Sequence, residues 1–297
     1  MSGPLHSLRT VLEMIKFEHT LFALPFALLG MVLAARGWPA GRTVLWILVA
    51  MVAARSAAMA FNRLVDREVD AANPRTRSRA LPAGLVTPRW VAGFVVACCA
   101  ALVVAAWRLN PLTLALAPVA LVVLLGYSFT KRLTWASHLV LGLALAGAPL
   151  GAWIAVEGQV AGTPFLLAGA VVLWVAGFDV LYALQDREFD RQRGLFSIPA
   201  RFGVGGALVA SALAHLAMLT LLAALPAVYA GDVGPGGPRL GALYWVAWAG
   251  CLALVAYQHW VVRPRDLSRL DAAFFTANGV LSLWLFVLTA VDILGVL

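Results

Sequence analysis

Charge is scarce in this sequence. Only 12% of its 297 residues are Asp, Glu, Lys or Arg, while 62% are apolar; soluble domains carry about a quarter charged and about half apolar. That shortage excludes a soluble globular domain and leaves an all-α, polytopic membrane protein. Cysteine is scarcer still. Cys98 and Cys99 are adjacent in one apolar run and Cys251 stands alone in another, a spacing that suits neither disulfide nor metal site and reads as small buried residues. Low-complexity tails and a soluble second domain are lacking, so residues 1–297 read as one integral-membrane domain. A cleavable leader is lacking too: the first apolar stretch follows a short amphipathic lead and reads as a retained span. The net charge of +8 would point to nucleic acid in a soluble protein, but in a membrane protein the placement of the cations matters more than their sum.

What is present is apolar length. Nine segments, near 17–36, 43–62, 90–107, 111–127, 138–157, 164–184, 205–230, 241–262 and 272–295, are long enough to cross a bilayer, which takes about 20 residues. With the N-terminus inside, 17 basic residues fall on the cytoplasmic side and 4 on the other, and Arg55 lies within a span. A bias of that size predicts N-terminus in and C-terminus out, in the inner (cytoplasmic) membrane. Residues 231–241, rich in Gly and Pro, read as a connector without chemistry.

Acidic residues number 14, and seven of them, Asp66, Glu68, Asp70, Asp179, Asp186, Glu188 and Asp190, fall in two regions on the cytoplasmic side. Carboxylates at a membrane boundary are costly unless paired, hydrated or metal-bound, so the clustering marks a functional site. Asn62, Asp66 and Asp70 are four apart and share one helix face. The later DREFD at 186–190 repeats the earlier DREVD at 66–70, as two half-sites across a cavity would. Hard oxygen donors of this kind suit Mg²⁺ shared with a diphosphate. Arg75 and Arg79 follow the first acidic face and are placed to clamp phosphate oxygens; Lys131 and Arg132, just after Tyr127, are placed to do the same. Arg77 is undecided. Asp179 reads as several residues deep, on the face of Asp186 and Asp190 with Tyr182 beside it: either a carboxylate satisfied by a neighbouring helix, or one that orients a phenolic hydroxyl or accepts its proton. Lys16 and His19 open the first span, where a cation binds a substrate carboxylate or snorkels to headgroups. His138 reads as interfacial, and His215 and His259 as structural and without partners. Most of the aromatics are interfacial belts and core.

Taken in order, N-x-x-x-D-x-x-x-D (Asn62, Asp66, Asp70), R-T-x-x-R-x-L-P-x-G (Arg75 to Gly84), Y-x-x-x-K-R (Tyr127, Lys131, Arg132) and D-x-x-Y-x-x-Q-D-x-x-x-D (Asp179, Tyr182, Gln185, Asp186, Asp190) resemble the UbiA superfamily of intramembrane prenyltransferases, over nearly the whole chain. The nearest likeness is to the 4-hydroxybenzoate polyprenyltransferase branch, with its dihydroxynaphthoate-prenylating relatives. The resemblance implies nine helices around a central cavity, two Mg²⁺ ions and a lateral opening to the bilayer. It puts Asn62, Asp66, Asp70, Asp186 and Asp190 on metal, Arg75, Arg79, Lys16, Tyr182 and Ser197 on substrate, and Asp179, Tyr127, Lys131 and Arg132 in catalysis. Its implied partners are a polyprenyl diphosphate, an aromatic hydroxy-acid and the lipid bilayer, with no nucleic acid and no obligate protein partner. The implied reaction is electrophilic aromatic substitution in quinone biosynthesis. The chain departs from the pattern at Arg63, where many members have Asp, and at Leu195 and Phe196, where many have a basic residue before Ser-Ile-Pro. Other readings are a secondary transporter, which would want ionisable groups near the midplane, and a prenyltransferase of the same superfamily acting on a heme or chlorophyll-type acceptor. A lipid phosphotransferase would need a D-G-x-x-A-R motif that is not here.

Overall fold

The structure is a computed structural model and describes residues 4–14, 23–262, 270 and 272–295. Among these, every regular element is helical: α1 (Pro4–Met14), α2 (Leu24–Ala35), α3 (Gly41–Val65), α4 (Arg67–Ala72), α5 (Pro88–Leu109), α6 (Pro111–Thr130), α7 (Ser137–Glu157), α8 (Gly162–Tyr182), a 3₁₀ turn (Ala183–Asp186), α9 (Arg187–Gln192), α10 (Ile198–Val233), α11 (Ala242–Val261), a π-helical turn (Ala272–Ala277) and α12 (Asn278–Leu294). Helices satisfy their own backbone hydrogen bonds and so can cross lipid, and the long apolar runs suit that solution.

Among the described residues, seven helical segments are long and apolar enough to cross a membrane, against nine expected of the whole chain. The expected first span, 17–36, is described only from 23, and within it α2 is 12 residues. The eighth, α11, is long enough, but Trp245, Trp248, Tyr257, Gln258 and His259 lower its mean hydropathy. The expected start of the seventh span at 205 coincides with a kink inside α10, where Gly203 sits at φ 70°, ψ −173°.

Helix ends follow local chemistry. Pro88 and Pro111 open α5 and α6, where a missing N–H costs nothing. The Thr87 hydroxyl accepts from Trp90 N at 3.3 Å, and Asn110 Oδ1 accepts from Thr113 N at 2.9 Å. Asn110 also donates to Ile154 O at 2.7 Å, tying the tight α5–α6 hairpin to α7. At the same end of the molecule Asp232 accepts from the N–H groups of Gly162 and Thr163, capping α8, and Asp292 accepts from Gly241 N just before α11. Carboxylates at helix N-termini meet unpaired donors and the positive end of the dipole.

Helices α8 and α10, α7 and α8, α2 and α7, and α3 and α5 pack against each other, and α12 reaches back to α2. Close approach comes from small residues, as it does where lipid gives no hydrophobic drive: a Cβ on Gly30 would stand 2.5 Å from Pro149 O, and one on Gly142 2.4 Å from Val172 O. The main core runs through α2, α7, α8, α10, α11 and α12 around Phe26, Trp174, Phe178, Tyr229 and Tyr244. Several of its polar atoms are paired: Tyr229 donates to Leu33 O at 3.2 Å, and Trp174 Nε1 and Gln258 Nε2 both donate to Asn278 Oδ1 at 2.9 Å. His215 and His259, expected to lack partners, bond each other at 3.0 Å. On the other side, Val11 and Met14 of α1 cover the end of α3 and the start of α5, against Ala60, Leu81 and Val91.

Candidate active site

Both acidic motifs sit at helix breaks. The chain leaves α3 at Asp66 (φ −87°, ψ 6°) and begins α4; it leaves α8 at Tyr182, passes the 3₁₀ turn and begins α9 at Asp186 (φ −99°, ψ 0°). The expectation of one continuous helical face is therefore corrected in each half, although Asn62 still faces Asp66, donating to its Oδ2 at 3.0 Å. The sequence repeat has become a repeat of backbone geometry: the leading Asp of each motif stands at the joint, and the trailing Asp is buried one turn on.

The two halves meet. Asp66, Asp70, Asp186 and Asp190 line one cavity of about 100 Å³ with Arg75, Arg79, Lys131 and Arg132. Each carboxylate has its own cation. Arg132 reaches Asp66 at 2.7 Å, Arg79 reaches Asp70 at 2.7 Å, and Lys131 reaches Asp190 at 2.8 Å. Arg75 holds Asp186 with two hydrogen bonds, 3.0 and 2.5 Å. Three of these pairs cross between motifs or elements far apart in the chain, 111 residues for Arg75 and Asp186, 66 for Arg132 and Asp66, and 59 for Lys131 and Asp190. Burial pushes the Asp66 carboxyl above the usual range, and nearby Asp70 adds to this against the pull of Arg132 and Lys131.

Sequence reasoning missed Asn73. Its amide donates to Asp186 at 3.1 Å while its Oδ1 accepts from Arg75 N at 2.9 Å, so it fixes the loop that delivers Arg75. An Asn-Pro pair just after the first motif was the available signal. Thr76 donates to the Asp70 carbonyl at 3.0 Å and braces the same loop. Arg77 is exposed and outside the cavity.

Other expected residues stand elsewhere. Ser197 is wholly buried; it donates to Asp190 at 3.0 Å and caps α10 through Ala200 N, which corrects its expected contact with substrate to a contact with an acid. Asp179 is about two turns deeper than Asp186 and outside the cavity wall, with His138 Nδ1 at 2.7 Å. That bond also corrects His138: it is 3% exposed and paired, not interfacial. Tyr182 lies under Arg75, 5.7 Å from guanidinium to ring centre. Tyr127, in the last turn of α6, is within electrostatic reach of Arg55, Arg63 and Asp179. Lys16 and His19 lie outside the described residues. Arg55, noted in the sequence only as a cation inside a span, shares the α3 face of Asn62 and Asp66, and its Nε has no hydrogen-bond partner.

The donor set fits a hard divalent cation. It is all carboxylate, and Asp70 Oδ2 is buried with no hydrogen-bond partner. Among the described residues no three His, Cys, Asp or Glu side chains form a group that would hold an ion unaided. An ion here takes one or two carboxylates and completes its shell with water and phosphate oxygens, the habit of Mg²⁺.

Residues 23–288 match the model of the UbiA prenyltransferase family. The chain belongs to that family. Among curated UbiA relatives it is 31% identical over 255 residues to the 4-hydroxybenzoate octaprenyltransferase of Aliivibrio fischeri (strain MJ11), covering 84% of this chain and 83% of the relative. It is 32% identical over 252 residues to the protein of that name from Nitrosospira multiformis, covering 84% and 83%. Among solved structures, a UbiA homolog from Aeropyrum pernix K1 in its apo form matches with a TM-score of 0.78 and 33% identity, over 94% of this chain and 98% of that one. A UbiA homolog from Archaeoglobus fulgidus, bound to DMAPP and Mg²⁺, matches in fold with a TM-score of 0.72 at 18% identity, over 97% and 100%. This UbiA member is thus a multi-pass membrane prenyltransferase.

Proposed function

We propose that this protein transfers a polyprenyl group from its diphosphate to an aromatic hydroxy-acid, 4-hydroxybenzoate or 1,4-dihydroxy-6-naphthoate, using two Mg²⁺ ions, at a site facing the cytoplasm. The observation that carries the reading is the single cavity lined by four carboxylates and four cations from both motifs. The resident ions would be held by Asp66 and Asp70 on one side and Asp186 and Asp190 on the other. Bound there, Mg²⁺ supplies Lewis-acid neutralisation of the departing diphosphate. The cytoplasmic orientation is supported by the 17-to-4 placement of basic residues.

The chain's own residues divide the work. Arg75, Arg79, Lys131 and Arg132 turn from carboxylates to phosphate oxygens, matching charge as it develops on the leaving group. The allylic C–O bond breaks, a ring carbon ortho to the hydroxyl forms the new C–C bond, and the ring hydrogen leaves as a proton. Products are prenylated acceptor, diphosphate and H⁺. Asp179 accepts a hydrogen bond from the acceptor hydroxyl and raises the electron density of the ring. Arg55, a guanidinium inside α3, takes the acceptor carboxylate, since a cation at membrane depth needs an anion. Apolar walls keep water from the allylic cation.

The test is turnover in lipid with Mg²⁺, farnesyl diphosphate and each acceptor. Product from one acceptor, lost in EDTA and in D66A and D186A, is expected; no product from either acceptor while diphosphate stays intact overturns the reading.

A further inference from the structure

His138 has two bonds that together fix its proton. Nδ1 is 2.7 Å from Asp179 Oδ2, and Nε2 is 3.3 Å from the backbone nitrogen of Ile198. Ile198 opens α10, so its N–H has no carbonyl within the helix to meet. A backbone N–H can only donate, so Nε2 must offer its lone pair. The proton then stands on Nδ1, pointing at Asp179. A second proton would have to go to Nε2, against the Ile198 N–H. The imidazole is therefore a fixed donor with its far side sealed by a helix terminus, and it is 3% exposed.

We propose that His138 is the positioning residue of the acceptor subsite: it holds Asp179 with Oδ2 engaged and Oδ1 free to take the acceptor hydroxyl, and it cannot pass a proton onward. This rests on the proposed aromatic prenyl transfer. Among the described residues the Asp179 side chain has no other hydrogen-bond or ion-pair partner, and it is 24% exposed, so one oxygen is tethered and the other is open. The tether also runs to the metal side. Ser197, the residue before Ile198, donates to Asp190 at 3.0 Å, and Phe196 N donates to Lys131 O at 2.8 Å. The segment 196–198 thus fastens the Asp179 carboxylate, through His138, to the diphosphate end. In a catalytic triad the residue behind the histidine selects its tautomer; here a backbone N–H does so, and the histidine serves the carboxylate.

The amide of Asn reproduces an N–H near the position of Nδ1, whereas that of Gln reaches toward Nε2. The test compares H138N, H138Q, H138L and D179N in lipid, with KM and kcat for both substrates. Expected is a fall in kcat of about 100-fold for H138L and H138Q, within the range of a lost acid–base contact, with KM for farnesyl diphosphate within about twofold. H138N is expected to recover most of the rate, and H138L/D179N to be no slower than D179N alone. Equal rates for H138N and H138Q, or a loss confined to diphosphate KM, would overturn the proposal. A parallel ¹⁵N-histidine NMR spectrum, assigned with H138N, is expected to show Nδ1–H and a bare Nε2. An Nε2–H tautomer or an imidazolium overturns the proposal whatever the turnover. The Nδ1–H tautomer found in wild type that prenylates neither acceptor would leave the tether standing and overturn the acceptor assignment instead.

Discussion

Arg75 and Asp186, 111 residues apart, form a two-point ion pair that ties the loop after the first acidic motif to the head of the second. Side-chain exposures are 34% and 13%, so the pair is half wetted and contributes about 1 kcal/mol to stability at most. In the proposed reaction its larger role is to hold a guanidinium for the diphosphate. R75A is expected to leave the melting temperature nearly unchanged while lowering kcat about 100- to 1000-fold, the size seen when a preorganised donor to developing charge is removed. Unfolding scans and steady-state rates on the same preparation decide it; unchanged kcat would refute the role.

Lys131 and Asp190 form a lopsided pair, with the ammonium 38% exposed and the carboxylate fully buried. Removing the cation strands a buried charge, whereas removing the acid releases the lysine to water. K131M is therefore expected to destabilise the metal-free protein by about 2–3 kcal/mol, below the usual cost for a wholly buried pair because Lys131 is partly solvated. D190N should cost distinctly less, since Ser197 can still bond it. Denaturant titration in matched detergent measures both, and the reverse order would count against the burial account.

Metal and diphosphate should stabilise jointly. Mg²⁺ with farnesyl diphosphate is expected to raise the melting temperature by more than the two separate shifts added together, and EDTA to abolish the gain. Additive shifts would contradict a shared coordination shell.

Gly142 and Gly147 lie on the same helix with opposite surroundings. A Cβ at 142 would press on the Val172 carbonyl at 2.4 Å; at 147 it meets nothing within 4 Å. G142A is expected to cost about 1–3 kcal/mol by overpacking, and G147A to be neutral or to gain up to about 1 kcal/mol in helix propensity. Comparable melting temperatures would mean that α7 and α8 do not cross where described.

R55M should raise KM for the aromatic acid at least about tenfold, the value of one charged hydrogen bond, and leave diphosphate KM alone. Equal changes in both constants would place Arg55 at the phosphate instead.

Much of this site was legible because the chain states it twice. DREVD and DREFD announce paired carboxylates, and the Arg and Lys residues beside them announce the cations that line the same cavity. The breaks at Asp66 and Asp186 were not legible, since i, i+4 spacing looks alike on a straight helix and across a one-residue joint. Pairings were hidden for another reason. Nothing local to Asp179 names His138, 41 residues earlier, and nothing near Asn73 names Asp186. His138 looked interfacial because it opens a span; α10 folding back over it makes it interior. Ser197 looked like a ligand-binding hydroxyl because helix caps and phosphate binders share a vocabulary, and only burial separates them.

The one-to-one mating of four carboxylates with four cations makes the resting pocket electrically neutral. A neutral socket at the edge of a bilayer is cheap to keep dry, but it discriminates sharply. A bare cation would have to outbid an arginine, and a bare diphosphate would have to outbid an aspartate. The pair arriving together satisfies both sets of partners at one exchange, so the pocket acts as a coincidence detector whose idle state is its own internal salt.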